Sequence, residues 1–124
     1  MHELSIAQAI VGIAARHAAG RRVTRVEVKV GHLRQVVPGA LEFGFDLVSQ
    51  GSALEGAELA IEAIPATGRC RGCGATSELD GFPLRCSACG GLDLELLSGE
   101  ELLVDALVLE EEAVTTNGGM GHVG

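Results

Sequence analysis

The sequence predicts an α+β fold: a three-stranded sheet with two helices on one face, plus an inserted four-cysteine, zinc-ribbon-like module. Three observations predict it. Two segments repeat apolar residues at helical spacing, Val23 to Val30 alternates with a period of two, and Cys70, Cys73, Cys86 and Cys89 form two Cys-x-x-Cys pairs.

The first helix is expected over about Leu4 to Ala19, with Ile6, Ile10, Ile13, Ala14 and His17 on one face. Ser5 and Gln8 fit a capping box and Gly20 a stop. His2 and Glu3 then fall just outside the helix, near its positive dipole end, which favours the Glu3 carboxylate. In the strand that follows, Val26, Val28 and Val30 point to one side and Arg25, Glu27 and Lys29 to the other, as a half-buried strand requires. Gly31 to Val37 reads as a loop carrying His32. Pro38 suits the first turn of a second helix, because its missing N–H is one that no carbonyl in the helix would have received. Leu41, Phe45 and Val48 at i, i+4 and i+7 give that helix a core face, and Gly51 stops it. A second strand runs from Glu58 to Ile64, with Leu59, Ile61 and Ala63 on one side, and Pro65 ends it. Leu102 to Leu109 is apolar enough for a third, central strand. The expected organisation is an α/β domain of residues 1–66 and 98–112, an inserted metal-binding module of 67–97, and a glycine-containing flexible tail of 113–124.

The four cysteines carry the strongest motif. Twelve residues, Gly74 to Arg85, separate the pairs, a spacer slightly below the ~15–20 of a typical two-knuckle zinc site. Glycines at 72, 74, 90 and 91 supply the turn conformations that tight knuckles need. With no signal peptide in view, vicinal pairs point to metal or redox chemistry rather than a disulfide framework, and two facing pairs favour a closed metal site. Four thiolates fill the zinc tetrahedron and leave no position for water or substrate, so the zinc they imply is structural. Arg69, Arg71 and Arg85 stand next to the ligands, where they can offset the charge of the cage or simply be solvated.

Charge and composition exclude several classes. The 124 residues carry a formal charge of −8, which opposes nucleic-acid binding, and Trp and Tyr are absent, leaving only Phe43, Phe45 and Phe82 to stack on bases. No uncharged apolar run reaches the ~18 residues of a membrane span, so a soluble, cytoplasmic protein is expected. An enzyme is not expected either: there is no visible nucleophile–base pairing, and the glycines from 31 to 39 lack the lysine of a phosphate-binding loop.

His2 adds a second candidate site. With histidine second, the α-amine, the His2 amide nitrogen and the imidazole can close adjacent chelate rings about one metal. Such a flattened nitrogen set suits Ni(II) or Cu(II) better than tetrahedral zinc. A histidine in a frayed terminus is the bland alternative.

Taken together, Met1-His2-Glu3-Leu4-Ser5, then Gly31-His32-Leu33 ahead of the Val37-Pro38 helix entry, then Cys70-x-x-Cys73 and Cys86-x-x-Cys89-Gly90, resemble the HypA/HybF family of hydrogenase nickel-insertion accessory proteins, over nearly the whole chain to Leu109. The resemblance implies a nickel metallochaperone that transports Ni(II) and delivers it to the large subunit of NiFe hydrogenase in cooperation with a hydrogenase-maturation GTPase. It assigns a nickel-ligand role to His2 and zinc-ligand roles to Cys70, Cys73, Cys86 and Cys89, with Glu3 a conditional nickel ligand through its backbone or carboxylate. Some members of the family supply a further carboxylate from the loop before the second helix; here that stretch is Val36, Val37, Pro38, Gly39 and Ala40. The competing class is a zinc-ribbon interaction adaptor without nickel chemistry, in which His2 is irrelevant.

Overall fold

A computed structural model describes residues 2–80, 82–110, 115–116 and 121–122, the last four by backbone alone. The elements run α1 (His2–Ala18), β1 (Val23–Gly31), a single 3-10 turn (His32–Arg34), α2 (Pro38–Ser49), β2 (Glu58–Ile64), β3 (Thr67–Cys70), β4 (Thr76–Glu78), β5 (Leu94–Ser98), β6 (Leu102–Leu109), β7 (Thr115–Thr116) and β8 (Gly121–His122). The α+β class is as the sequence predicts: β2, β1 and β6 lie side by side in that order, two helices cover one face, and β4-β3-β5 form a separate three-stranded sheet. The chain divides into two compact units, one of Met1–Lys29, Val36–Glu62 and Leu102–Gly124, the other of Val30–Gln35 and Ala63–Glu101.

In the first unit, α1 buries Ile6, Ala7, Ile10, Val11, Ile13, Ala14 and Ala18. These meet Leu41 and Phe45 of α2 and the inward residues Val26 and Val28 of β1 and Val104 and Ala106 of β6 in one core. Gly44 faces α1: a Cβ there would stand 3.4 Å from Ala7 Cβ and 3.6 Å from Leu4 Cα. The first and third strands run in opposite directions, since Glu110 donates its amide to the Arg22 carbonyl at 2.9 Å while Thr24 Oγ1 donates to the Val108 carbonyl at 3.2 Å. Arg25, Glu27 and Lys29 face away from the core, Arg25 pairing with Glu27 and Glu58 at 3.0 Å each. None of the described helices is long and apolar enough to cross a membrane.

Several expectations are corrected. Helix α1 starts at His2 rather than Leu4, so His2 and Glu3 lie inside it and Ser5 is not its cap. An acidic residue in the first turn is favoured by the dipole, and the Glu3 carboxylate has a tertiary partner, described below, that helps hold the two extra residues. The helix stops one residue early: Ala19 and Gly20 adopt φ of 52° and 86°. His17 is exposed, and Ala18 takes the buried position. The segment read as a loop after β1 contains a 3-10 turn. Strand β2 has the expected bounds, yet only Leu59 is buried, with Ile61 half-buried and Ala63 exposed. The reason is position: among the described residues β2 pairs only with β1, at the edge of a five-stranded sheet. Strand β6 is central, as expected, with β1 on one side and on the other β7 and β8, which pair with it through Leu107–Thr116 and Leu103–His122. The flexibility expected for 113–124 falls, apart from these four backbone positions, outside the described residues.

Candidate metal centres

The cysteine site is built by two copies of one turn. In the first, Cys70 closes β3, its amide donates to the Ala75 carbonyl at 2.8 Å, and its carbonyl accepts from Gly74 at 2.8 Å. In the second, the Cys86 amide donates to Gly91 at 2.9 Å and its carbonyl accepts from Gly90 at 2.8 Å. The residue after each second cysteine, Gly74 or Gly90, has φ near +79° or +75°, a conformation that only glycine adopts without cost. The sheet then brings the turns together, since Cys70 pairs with Leu94 of β5, immediately beyond the second turn.

The four sulfurs lie within 4.8 Å of one another, and two close approaches join different knuckles: Cys70 to Cys89 at 3.7 Å and Cys73 to Cys86 at 3.6 Å. A tetrahedron with zinc–sulfur bonds of about 2.3 Å has sulfur–sulfur edges of about 3.8 Å. The cluster therefore has the dimensions of a tetrathiolate cage, and all four cysteines are free of disulfides.

Backbone amides supply the electrostatics. Cys73 donates to Cys70 Sγ, Ala88 to Cys86 Sγ and Gly91 to Cys89 Sγ, each at 3.4 Å. The amides of Cys89 and Ala88 bring the Cys86 thiol down to about 7, and those of Cys73 and Gly72 lower Cys70. Cys89 moves the other way, to about 11, because the Gly91 amide is outweighed by the sulfurs of Cys70, Cys73 and Cys86. Thiols packed this closely cannot all ionise unless a cation sits among them, which is the donor chemistry a metal needs. The nearby arginines turn to oxygen instead of sulfur. Arg71 binds Asp93 at 2.8 Å, Arg69 reaches Glu95 at 3.5 Å, and Arg85 donates to the Gly90 carbonyl at 3.4 Å.

At the N-terminus, His2 and Glu3 are held together on the first turn of α1. His2 is exposed, its Nδ1 3.7 Å from Glu3 Oε2. The same oxygen accepts the Val37 amide at 3.1 Å, which ties the start of α1 to the residue that opens α2. That hydrogen bond, followed by the one from its own amide, holds the Glu3 carboxyl below the usual carboxylate range. Its contribution to stability is thus complete above the unfolded carboxylate value and is lost as pH falls through the lowered one. Glu3→Ala is expected to speed hydrogen exchange at the Val37 amide while leaving Phe45 in the middle of α2 protected; unchanged exchange at Val37 would remove Glu3 from this role. The Met1 amine lies outside the described residues.

The stretch Val36–Ala40 leading into α2 holds no carboxylate. The contribution from that segment is a main-chain donor, Val37 N–H, and the available signal was Pro38, which fixes Val37 as the unpaired donor just ahead of a helix. Among the described residues, the cysteine quartet is the one group of three or more His, Cys, Asp or Glu side chains close enough to hold a metal together. His32 is exposed on the 3-10 turn and joins no such group.

Residues 1–109 match the family model described as hydrogenase/urease nickel incorporation, metallochaperone, hypA. A hydrogenase maturation factor HypA of Geotalea uraniireducens is 47% identical over 110 residues, covering 89% of this chain and 100% of that protein. Another of the same description from Nostoc punctiforme is 45% identical over 114 residues, covering 92% and 100%. The fold is similar to the solution structure of the Ni metallochaperone HypA from Helicobacter pylori, with a TM-score of 0.63 at 19% identity, covering 90% of this chain and 100% of that one.

Proposed function

We propose that this chain, which belongs to the HypA family of hydrogenase/urease nickel-incorporation metallochaperones, takes up Ni(II) at its N-terminus and delivers it to the large subunit of NiFe hydrogenase, working with a hydrogenase-maturation GTPase. The observation that carries the nickel assignment is the anchored first turn of α1. His2 sits on a helix whose neighbour Glu3 is fixed by Val37, so the imidazole projects from an ordered position rather than from a frayed end. First-turn amides have no carbonyl acceptor within the helix, which leaves the His2 nitrogen available to a metal that displaces its proton. The α-amine and imidazole complete the chelate, and Glu3 contributes through its amide or its second carboxylate oxygen.

The cysteine quartet is proposed as a structural zinc site. Zinc there joins the two knuckles and, with four sulfur ligands, keeps no position for exchange. Cargo metal and structural metal are thus kept apart by ligand type: nitrogen donors in an open set for nickel, sulfur donors in a closed one for zinc. The chemistry is binding and release, with no bond made or broken in a substrate.

Nickel affinity at fixed pH of three forms tests the reading: the native terminus, a form with one extra N-terminal glycine, and His2→Ala. The native form should bind, the extended form should be weaker because its register of chelate rings is shifted, and His2→Ala should lose tight binding while keeping zinc and fold, since an exposed helix-terminal side chain contributes little packing. Equal affinity in all three would place nickel elsewhere and favour the adaptor without nickel chemistry. Loss in His2→Ala alone would retain the imidazole and discard the amine.

A further inference from the structure

Helix α2 has two apolar faces, and only one of them is used by the fold. Leu41 and Phe45 are fully buried against the core. On the other side Phe43 is 66% exposed and Leu47 47% exposed, with Ala40 exposed one turn earlier and Val37, 58% exposed, at the N-cap. At about 100° per residue, positions 40, 43 and 47 fall within an arc of about 60°, next to the Gly44 side that packs on α1. Glu42 and Asp46, both exposed, border this stripe, and α2 contains neither Lys nor Arg. Single exposed apolar residues are ordinary; a stripe at turn spacing, with one charge sign along its rim, is the pattern of an interaction surface.

We propose that this face of α2 is a docking surface for an amphipathic helix of a protein partner, one that sets apolar anchors on Phe43 and Leu47 and Lys or Arg side chains along Glu42 and Asp46. The spacing of the stripe matches the i, i+3 or i+4, i+7 anchors of helix-in-groove recognition. The acidic rim selects a cationic flank and opposes a second copy of this chain, whose own Glu42 and Asp46 would be brought against the first. Residues 111–124 carry Glu111 and Glu112 and no Lys or Arg, so that segment has the same wrong sign. The stripe begins at Val37, whose amide is bonded to Glu3, and α2 rises about 1.5 Å per residue, so a helix docked on it lies within about 15 Å of the anchored terminus. The proposal rests on the nickel reading only in naming the partner as one that exchanges nickel with His2; docking there holds the exchanging ligands at high effective concentration.

The test uses full-length protein labelled for NMR and two synthetic helical peptides of identical apolar face, one rimmed with Lys and one with Glu. The Lys-rimmed peptide should shift the amides of residues 37–47, should bind more weakly as salt rises, and should lose affinity on the order of tenfold or more in Phe43→Ser, Leu47→Ser. Both substituted residues are exposed, so the variant should keep its fold and its nickel affinity. Shifts confined to other elements, equal binding of the two peptides, or unchanged affinity in the variant would overturn the docking surface. A concentration-dependent dimer that Phe43→Ser, Leu47→Ser abolishes would also overturn it, by assigning the face to a second copy. Nickel titration of the same samples before peptide is added reports on His2 separately, so failure of the nickel reading leaves the peptide result standing.

Discussion

Cys73→Ala is expected to abolish the zinc binding proposed for the quartet and unfold the cysteine module while the β2-β1-β6 sheet with its two helices survives. The reason lies in what the second compact unit buries. Among its described residues the buried apolar side chains are Val30, Ala66, Cys70, Leu79 and Cys86, so two of five are cysteines of the proposed zinc site. A core this small does not offset the entropy of ordering its loops, and on the zinc reading proposed above metal binding would supply the difference; structural zinc in small domains contributes roughly 10–16 kcal/mol at neutral pH. Removing Cys73 breaks the 3.6 Å approach to Cys86 and leaves three ligands, one of them on a knuckle held by little else. The measurement is metal content by native mass spectrometry together with hydrogen exchange. Zinc should fall from one equivalent toward none, and protection around residues 67–97 should collapse while Ile10, Val28 and Val104 stay protected. Purified wild-type protein with four titratable thiols, no metal and a protected module would refute the assignment.

Gly31→Ala should be the most destabilising substitution outside the cysteines. The Gly31 amide donates to the Glu101 carbonyl at 2.6 Å, and the Gly99 carbonyl accepts from Leu33 at 2.8 Å, so the two backbones are fastened on either side of the position. A Cβ there would overlap the Gly99 carbonyl and stand 2.6 Å from the Glu100 nitrogen. These are main-chain atoms with no rotamer to escape into. Overpacking typically costs about 1–3 kcal/mol, and contact with fastened backbone belongs at or above the top of that range. For a chain of this length each kcal/mol lowers Tm by about 4 °C, so a fall of roughly 10 °C or more is expected. Gly39→Ala is the control: it lies in α2 with nothing within 4 Å of the added carbon, and should be neutral or slightly stabilising. Equal melting of the two variants would show that the backbone around Gly99 yields.

Much of this was readable from residue order because the governing interactions are local. Period-two alternation in Val23–Val30 and the apolar run Leu102–Leu109 found β1 and β6 within one residue of their ends, and Pro38 marked the start of α2. The knuckles were legible because a Cys-x-x-Cys turn is closed by its own amides and needs only a glycine at the following position. What escaped was set across long sequence separations. The two extra residues of α1 are tied to Glu3 reaching Val37, the partly exposed face of β2 to its having one neighbour among the described residues, and the necessity of Gly31 to a backbone 68 residues away. The arginines beside the cysteines illustrate the same point. Adjacency in sequence suggested sulfur as their counter-charge, but Asp93 and Glu95, brought alongside by β5, are the stronger acceptors. Helical periodicity also hides the outer stripe of α2, since Leu41, Phe45 and Val48 satisfy one core face and the exposure of Phe43 and Leu47 is set by the tertiary fold.

That β2 has one strand partner among the described residues bears on how this chain tolerates crowding with its own kind. A rim strand offers a row of unsatisfied main-chain donors and acceptors on which another sheet can grow. Here the rim carries the carboxylates of Glu58 and Glu62, both exposed, and is followed by Pro65, which has no donor to extend the ladder. In-register parallel pairing, or an antiparallel one that sets Glu58 against Glu62, would bring carboxylates of this strand together, so stacking in those registers is resisted by like charge, most of all at Glu62, since Glu58 is paired with Arg25. Neutralising that rim, with Glu58→Gln and Glu62→Gln together, should remove the safeguard without touching either candidate metal centre.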